Sequence, residues 1–235
     1  MQKKALNKID DRTKLLFGEK FEKIQKMKFV VCGLGGVGSI IPISLVRSGV
    51  KKLFLIDFDK VDESNLNRQL AYDVNDIGKF KVEAIKSKLL KIRDNSEITI
   101  LKEKINNSFD FSIFNDCDFV FDCIDDVPAK IELITYCLEN DIKIISSLGM
   151  GNRLDSQKVI ITTLNKTHDD PLARKLRYEL KKRNLDLKKL LVSFSTEKPI
   201  IKGNKVASIF FVPNVSGLHM ASKVLNILLG LEDIK

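Results

Sequence analysis

The residues best suited to chemistry fall in a few short runs. "VVCGLGGVGS" sets Gly33, Gly35 and Gly38 in G-x-G-x-x-G spacing with Gly36 between them. Such a run encodes a tight strand-to-helix turn whose backbone N–H groups meet phosphate oxygens at a helix N-terminus, and by itself it does not decide which nucleotide binds. "KLFLID" ends at Asp57, about the right distance along the chain for ribose hydroxyls, and Asp59 follows two residues later. Asn65 and Arg68 lie three apart, which puts an amide and a guanidinium on one face of a helical turn where both can grip a polyphosphate. Lys81 starts the next predicted helix and aims an ammonium at the same phosphates, with Lys79 competing for that role. "FVFDCIDD" closes a strand near Asp125, whose carboxylate suits Mg²⁺ on a triphosphate; Asp125 and Asp126 are equally good helix caps. The set holds one nucleoside triphosphate and its metal and leaves no obvious face for nicotinamide, so ATP with Mg²⁺ is expected here rather than NAD.

These residues need a scaffold that brings separate strand ends together. Residues 10–25 predict a short helix. From 28 to 164, strands alternate with helices: "KFVVC", helix 39–48, "KLFLID", helix 79–93, "EITILKEK", "FVFDCID", helix 128–139, "IKIISSLG", "KVIITTL". That alternation predicts an α/β fold with a doubly wound, mainly parallel Rossmann-like sheet. Residues 171–189 carry eight Lys or Arg against Glu179 and Asp186, and the leucines at near-helical spacing predict an amphipathic basic helix over 174–189 whose outer face meets RNA backbone. The whole chain reads as one domain: an N-terminal arm over 1–27, a nucleotide-binding core over 28–164, a basic helical insertion over 165–204, and a return to the core over 205–235 as strand "VASIFFV" and helix "GLHMASKVLNILLG".

Composition narrows the class. A chain of 235 residues accommodates one sizeable α/β domain. No apolar run approaches the roughly 18 residues of a membrane span, and "MQKKALNKIDDRTK" lacks the apolar core of a secretory signal, so the expected location is cytoplasmic, away from membranes. The net charge of +9 points to a polyanionic partner. Cys32, Cys117, Cys123 and Cys137 form no C-x-x-C pair, which excludes a two-pair zinc site and leaves buried free thiols as the reading. His168 and His219 have no partner at catalytic spacing.

Taken together, "GLGGVGS", "DFD" with "NLNRQ", "GKFKVE" and "DCIDD" resemble the adenylation domain of the ubiquitin-activating enzyme superfamily. "DRTKLLFGEK", "SSLGMGNRLD", "DPLARKLRYELKK" and "FSTEKP" are similar to its tRNA threonylcarbamoyladenosine dehydratase branch. The resemblance implies that Asp57 binds ribose, that Asn65, Arg68 and Lys81 bind phosphates, and that Asp125 holds Mg²⁺. It also implies that Arg12 reaches into a partner subunit's site, hence a homodimer, with tRNA carrying threonylcarbamoyladenosine as substrate. On that pattern the threonyl carboxylate attacks the α-phosphate of ATP, and a group of the same side chain then displaces AMP to close a ring. Departing from other superfamily members, this chain has no cysteine after Cys137, which disfavours transfer to an enzyme thiol. The competing reading is adenylation of a ubiquitin-like sulfur carrier, and a sulfur-relay protein is a further possible partner.

Overall fold

The computed structural model describes residues 8–201 and 206–231. Two short helices, α1 (Asp11–Phe17) and α2 (Lys20–Lys26), stand where one helix was expected. They are parted at Gly18, whose φ of 54° interrupts the helical path. The chain then builds β1 (Lys28–Cys32), α3 (Ile40–Arg47), β2 (Lys52–Ile56), α4 (Lys81–Ile92), β3 (Glu97–Leu101), β4 (Phe119–Asp122), α5 (Val127–Glu139), β5 (Ile144–Ser147), β6 (Val159–Thr163), α6 (Pro171–Lys182), β7 (Leu191–Ser195) and α7 (Phe211–Leu228). These seven strands form one sheet in the order β3-β2-β1-β4-β5-β7-β6, parallel except for the β6–β7 pair.

The strand sequences explain this arrangement. "KFVVC" and "FVFD" are apolar almost throughout, as strands covered on both faces must be, and β4 is buried at every position. Alternate residues feed two separate cores. Phe29, Val31 and Leu55 pack on one face with Ile41, Ile85 and Met220, while Val30, Cys32 and Val120 pack on the other with Leu133, Leu176 and Phe194. The strand order turns back between β1 and β4, and the crevice at their carboxyl ends is the place where such sheets bind ligands.

Four expectations are corrected. The strand "FVFDCID" stops at Asp122, so Asp125 sits in the loop beyond it. The basic helix ends at Lys182, two residues before Asn184 takes a φ of 57°, and does not run on to 189. Residues 165–204 therefore hold more than a basic helix, because "LVSFS" is the buried strand β7, hydrogen-bonded between β5 and β6. Its serines disguise it: Ser193 is fully buried with its hydroxyl against that of Ser216 at 2.7 Å, which lets a polar residue serve in the core. "VASIFFV" is not a strand. Residues 206–209 have no regular structure and α7 begins at Phe211, whose ring is exposed, while Val212 enters the helix fully buried in the core.

Phe194→Ala is expected to destabilise the protein by about 3–5 kcal/mol, because its ring is 1% exposed in β7. Ile200→Ala, at a 57% exposed position, is expected to change stability by no more than about 0.5 kcal/mol. Urea unfolding of both variants checks the contrast.

Candidate functional site

β1 leads into the glycine turn, and the turn owes its shape to close contact with β4. A Cβ on Gly33, where φ is 84°, would lie 2.7 Å from the Cys123 carbonyl oxygen. On Gly38 it would lie 1.8 Å from the Gly33 oxygen and 2.9 Å from the Cys123 Cβ. Only glycine allows this approach. Gly35 and Gly36 face the cleft that the turn borders, a cavity of about 540 Å³ whose lining also includes Asp57, Asp59, Asn65, Arg68, Lys81 and Asp125. The structure thus brings together the residues singled out for phosphate, ribose and metal, Arg12 excepted.

Each of these side chains is held by its neighbours. Asp57 accepts the Leu34 N–H at 2.6 Å on one oxygen and the Asp59 N–H at 2.8 Å on the other, tying the glycine turn to the end of β2. Burial pushes its carboxyl above the usual range, opposed by the Lys81 charge and those two N–H groups. The Tyr72 hydroxyl braces the same turn by donating to the Leu34 carbonyl at 2.8 Å. Lys81 is 5% exposed, at the first position of α4, and its Nζ lies 2.7 Å from Asp59. Lys79 instead pairs with Asp76 at 3.6 Å and does not line the cleft, whereas Lys81 does.

Asn65 closes a short 3₁₀ turn: its Oδ1 accepts the Asp62 N–H at 3.2 Å, so the amide is oriented from behind. Arg68 comes one turn later and donates to the Ser64 carbonyl and the Asn67 side chain, both at 2.8 Å. Asp126 caps α5 by accepting the Ala129 N–H, leaving Asp125 exposed to the cleft without a hydrogen bond or ion pair among the described residues. Arg12 lies exposed on α1 and is absent from the cleft lining.

Three features escape sequence reasoning. Gln69 is 4% exposed, lines the cleft beside Gly35, and leaves its Oε1 without a partner among the described residues. Beneath the Cys123–Asp125 loop, Lys130 and Asp122 form a fully buried ion pair at 2.7 Å, joined by Ser146, whose hydroxyl donates to the same carboxylate at 2.6 Å. The signal was available: Lys130 stands among apolar residues on the inner face of α5, and a charge there requires a buried partner. The third is a buried arginine, Arg153, behind the cleft wall Gly149–Gly151.

The cleft suits a nucleotide with several phosphates. The close-packed glycine turn offers backbone N–H groups, Lys81 and Arg68 supply positive charge, and Gln69 lines the same space. Among the described residues no group of three or more His, Cys, Asp or Glu side chains could cage a metal. A lone carboxylate, Asp125, fits a magnesium ion carried mainly by phosphate oxygens and water. Cys123 also lines the cleft, and burial holds its thiol well above the range where a thiolate forms.

Known proteins share this architecture. The tRNA threonylcarbamoyladenosine dehydratase of Bacillus subtilis is 36% identical, across 95% of this chain and 96% of its own length. The corresponding dehydratase 2 of Saccharomyces cerevisiae is 37% identical over 84% of this chain, which spans 45% of that longer protein. The crystal structure of Escherichia coli tRNA N6-threonylcarbamoyladenosine dehydratase, TcdA, in complex with ATP superimposes with a TM-score of 0.90 at 29% identity, covering 97% of this chain and 96% of that one. The same enzyme in complex with AMP gives 0.88. Among the described residues no helix is long and apolar enough to cross a membrane. The model of the ThiF family matches residues 11–235, and the chain belongs to that family.

Proposed function

We propose that this chain is an ATP-dependent tRNA threonylcarbamoyladenosine dehydratase, closing a ring on the modified base through an acyl-adenylate. The observation that carries the reading is a nucleotide cleft with phosphate-binding groups and no usable protein nucleophile. Its cysteine, Cys123, is kept as a thiol packed against the Gly38 turn. Similarity to dehydratases over nearly the whole length of the B. subtilis relative supports the same substrate.

In this reading Asp57 takes the ribose hydroxyls on lone pairs left after its two backbone bonds. Asn65, Arg68, Lys81 and the turn N–H groups hold the phosphates. The substrate carboxylate attacks the α-phosphate, expelling pyrophosphate. Positive charge from Arg68 and Lys81 stabilises the charge that develops there, and displacement of AMP by an atom of the same substrate group completes the loss of water. Asp125 would hold Mg²⁺, which neutralises phosphate charge when bound. The protein's contribution is placement and electrostatics, since an intramolecular ring closure needs no covalent enzyme intermediate.

The reading includes a homodimer, which α1 supports. Leu15 and Leu16 are 86% and 80% exposed beside Arg12, an apolar surface that a second copy can cover while Arg12 reaches that copy's cleft. The tRNA lies along α6, where Ala173, Leu176 and Leu180 are buried and Arg174, Lys175, Lys181 and Lys182 face outward. Arg177 does not belong to that face, because its guanidinium is bonded to the Thr167 carbonyl and hydroxyl. Tyr178 is exposed but covered by the Lys182 ammonium 4.2 Å from its ring, so the surface grips backbone and does little base stacking.

Supplying ATP-Mg²⁺ with either modified tRNA or a ubiquitin-like carrier protein tests the reading: tRNA is expected to trigger pyrophosphate release, and release with the carrier alone would refute it. Asp125→Ala is expected to abolish that release while changing folding stability by no more than about 0.5 kcal/mol, as read by urea unfolding. Lys175, Lys181 and Lys182 reversed to Glu are expected to weaken tRNA binding and to flatten its salt dependence by up to about 0.7–0.9 log unit per lost phosphate contact, with ATP binding retained. Mixing Arg12→Ala with Asp125→Ala protein is expected to restore part of the activity through heterodimers with one intact site; no recovery after verified subunit exchange means that Arg12 does not act across subunits.

A further inference from the structure

The cleft has a second wall, opposite the phosphate-binding residues, formed by Ser147, Leu148, Gly149, Met150 and Gly151 at the end of β5 together with Leu172 of α6. Leu172 is the second residue of the basic helix, so the outward cationic face of α6 begins at the rim of the cleft. Between this wall and this helix lies Arg153, 4% exposed, with its side chain fully engaged. Its Nη1 donates to the Gly149 carbonyl and, at 3.3 Å, to the Gly151 carbonyl. Its Nε donates to the Glu197 carbonyl at 3.0 Å. Its Nη2 lies 3.2 Å from Asp170, whose other oxygen accepts the Ala173 N–H at 2.9 Å and so caps α6.

The ion pair is therefore buried and serves two elements at once. A Cβ on Gly149 would sit 3.5 Å from the Asp170 carboxylate and 3.6 Å from the Arg153 guanidinium, so the wall rests directly against the pair. Glu197 reinforces the arrangement by accepting the Leu154 and Asp155 N–H groups at 3.0 and 2.9 Å. A planar guanidinium is well suited to this task, since it fixes two carbonyls and a carboxylate in one rigid fork. Buried pairs of this kind specify geometry more than they add stability.

We infer that Arg153 and Asp170 are positioning residues that register the RNA-gripping face of α6 on the substrate wall of the cleft. The inference rests on the tRNA dehydratase reading. Backbone contacts along α6 then place the modified base against Gly149–Gly151, and the pair transmits that placement to the site of attack without touching the nucleotide.

The test compares wild type with Arg153→Lys and with the double variant Arg153→Met, Asp170→Asn, which removes both charges together and keeps an acceptor for the helix cap. AMP release with modified tRNA gives kcat and KM, calorimetry gives ATP affinity, and thermal melts establish the folded fraction. The expected result for the double variant is a fall in kcat of about 10–100-fold at nearly unchanged ATP affinity, since small misplacement suffices for that loss. Arg153→Lys is expected to regain part of it. Should the double variant melt early, Arg153→Lys and Asp170→Asn alone carry the comparison. Wild-type kcat and KM in a folded variant, or loss of ATP affinity in step with kcat, overturns the positioning role. No tRNA-stimulated AMP release by the wild type would instead refute the dehydratase reading itself.

Discussion

The approach of the glycine turn to the Cys123 peptide is the contact on which the site depends. It occurs where β1 and β4 lie side by side and the strand order reverses. With no side chain at Gly33 or Gly38, the turn settles onto the backbone at the end of β4, and the glycine turn and the Cys123–Asp125 loop become neighbours. The buried Asp122–Lys130–Ser146 network fixes the other side of this contact: Asp122 accepts the Ile124 N–H at 3.1 Å as well as the lysine and serine bonds. An unpaired charge at that depth would be prohibitive, whereas the complete network specifies a single conformation for the loop leading to Asp125.

The acidic residues near the cleft divide into structural and available groups. Asp57, Asp59 and Asp126 are each committed, to the turn, to Lys81 and to the α5 cap respectively, and only part of their hydrogen-bonding capacity remains for a ligand. Asp125 is left uncommitted. That division follows from position: a carboxylate at a helix N-cap is consumed by backbone N–H groups, and the residue just before it is free to face the crevice.

Sequence patterning reaches the parallel core and most of the cleft because both rest on local signals. Apolar runs mark β1, β2 and β4, and glycine spacing marks the turn. The polar-looking residues of β7 conceal a central strand, since Ser193 and Ser195 are buried by hydrogen bonding that composition does not express. "VASIFFV" misleads in the opposite direction: strong strand formers enter α7 because tertiary packing outweighs propensity. Gly217 meets the Val37 carbonyl and Ile40 so closely that a Cβ would lie 2.3 Å from the former, and this contact docks the helix onto the glycine turn. The places of Asn65 and Arg68 in the cleft are legible by spacing, whereas that of Arg153 is not, because its partners Asp170 and Glu197 are distant in sequence.

The same geometry keeps Cys123 protonated although it lines the cleft. Its thiol is desolvated and lies next to the negative Asp122, so ionisation is opposed by burial first and by charge second. Lys130 pulls the other way, but its ammonium is already bound to Asp122 and Ser146. A cleft that suppresses its own nucleophile favours an activated carboxylate that is resolved by another atom of the same molecule. The glycine turn, Arg68 and Lys81 come from the loops after β1 and β2 and from α4, while the opposite wall comes from β5 and α6.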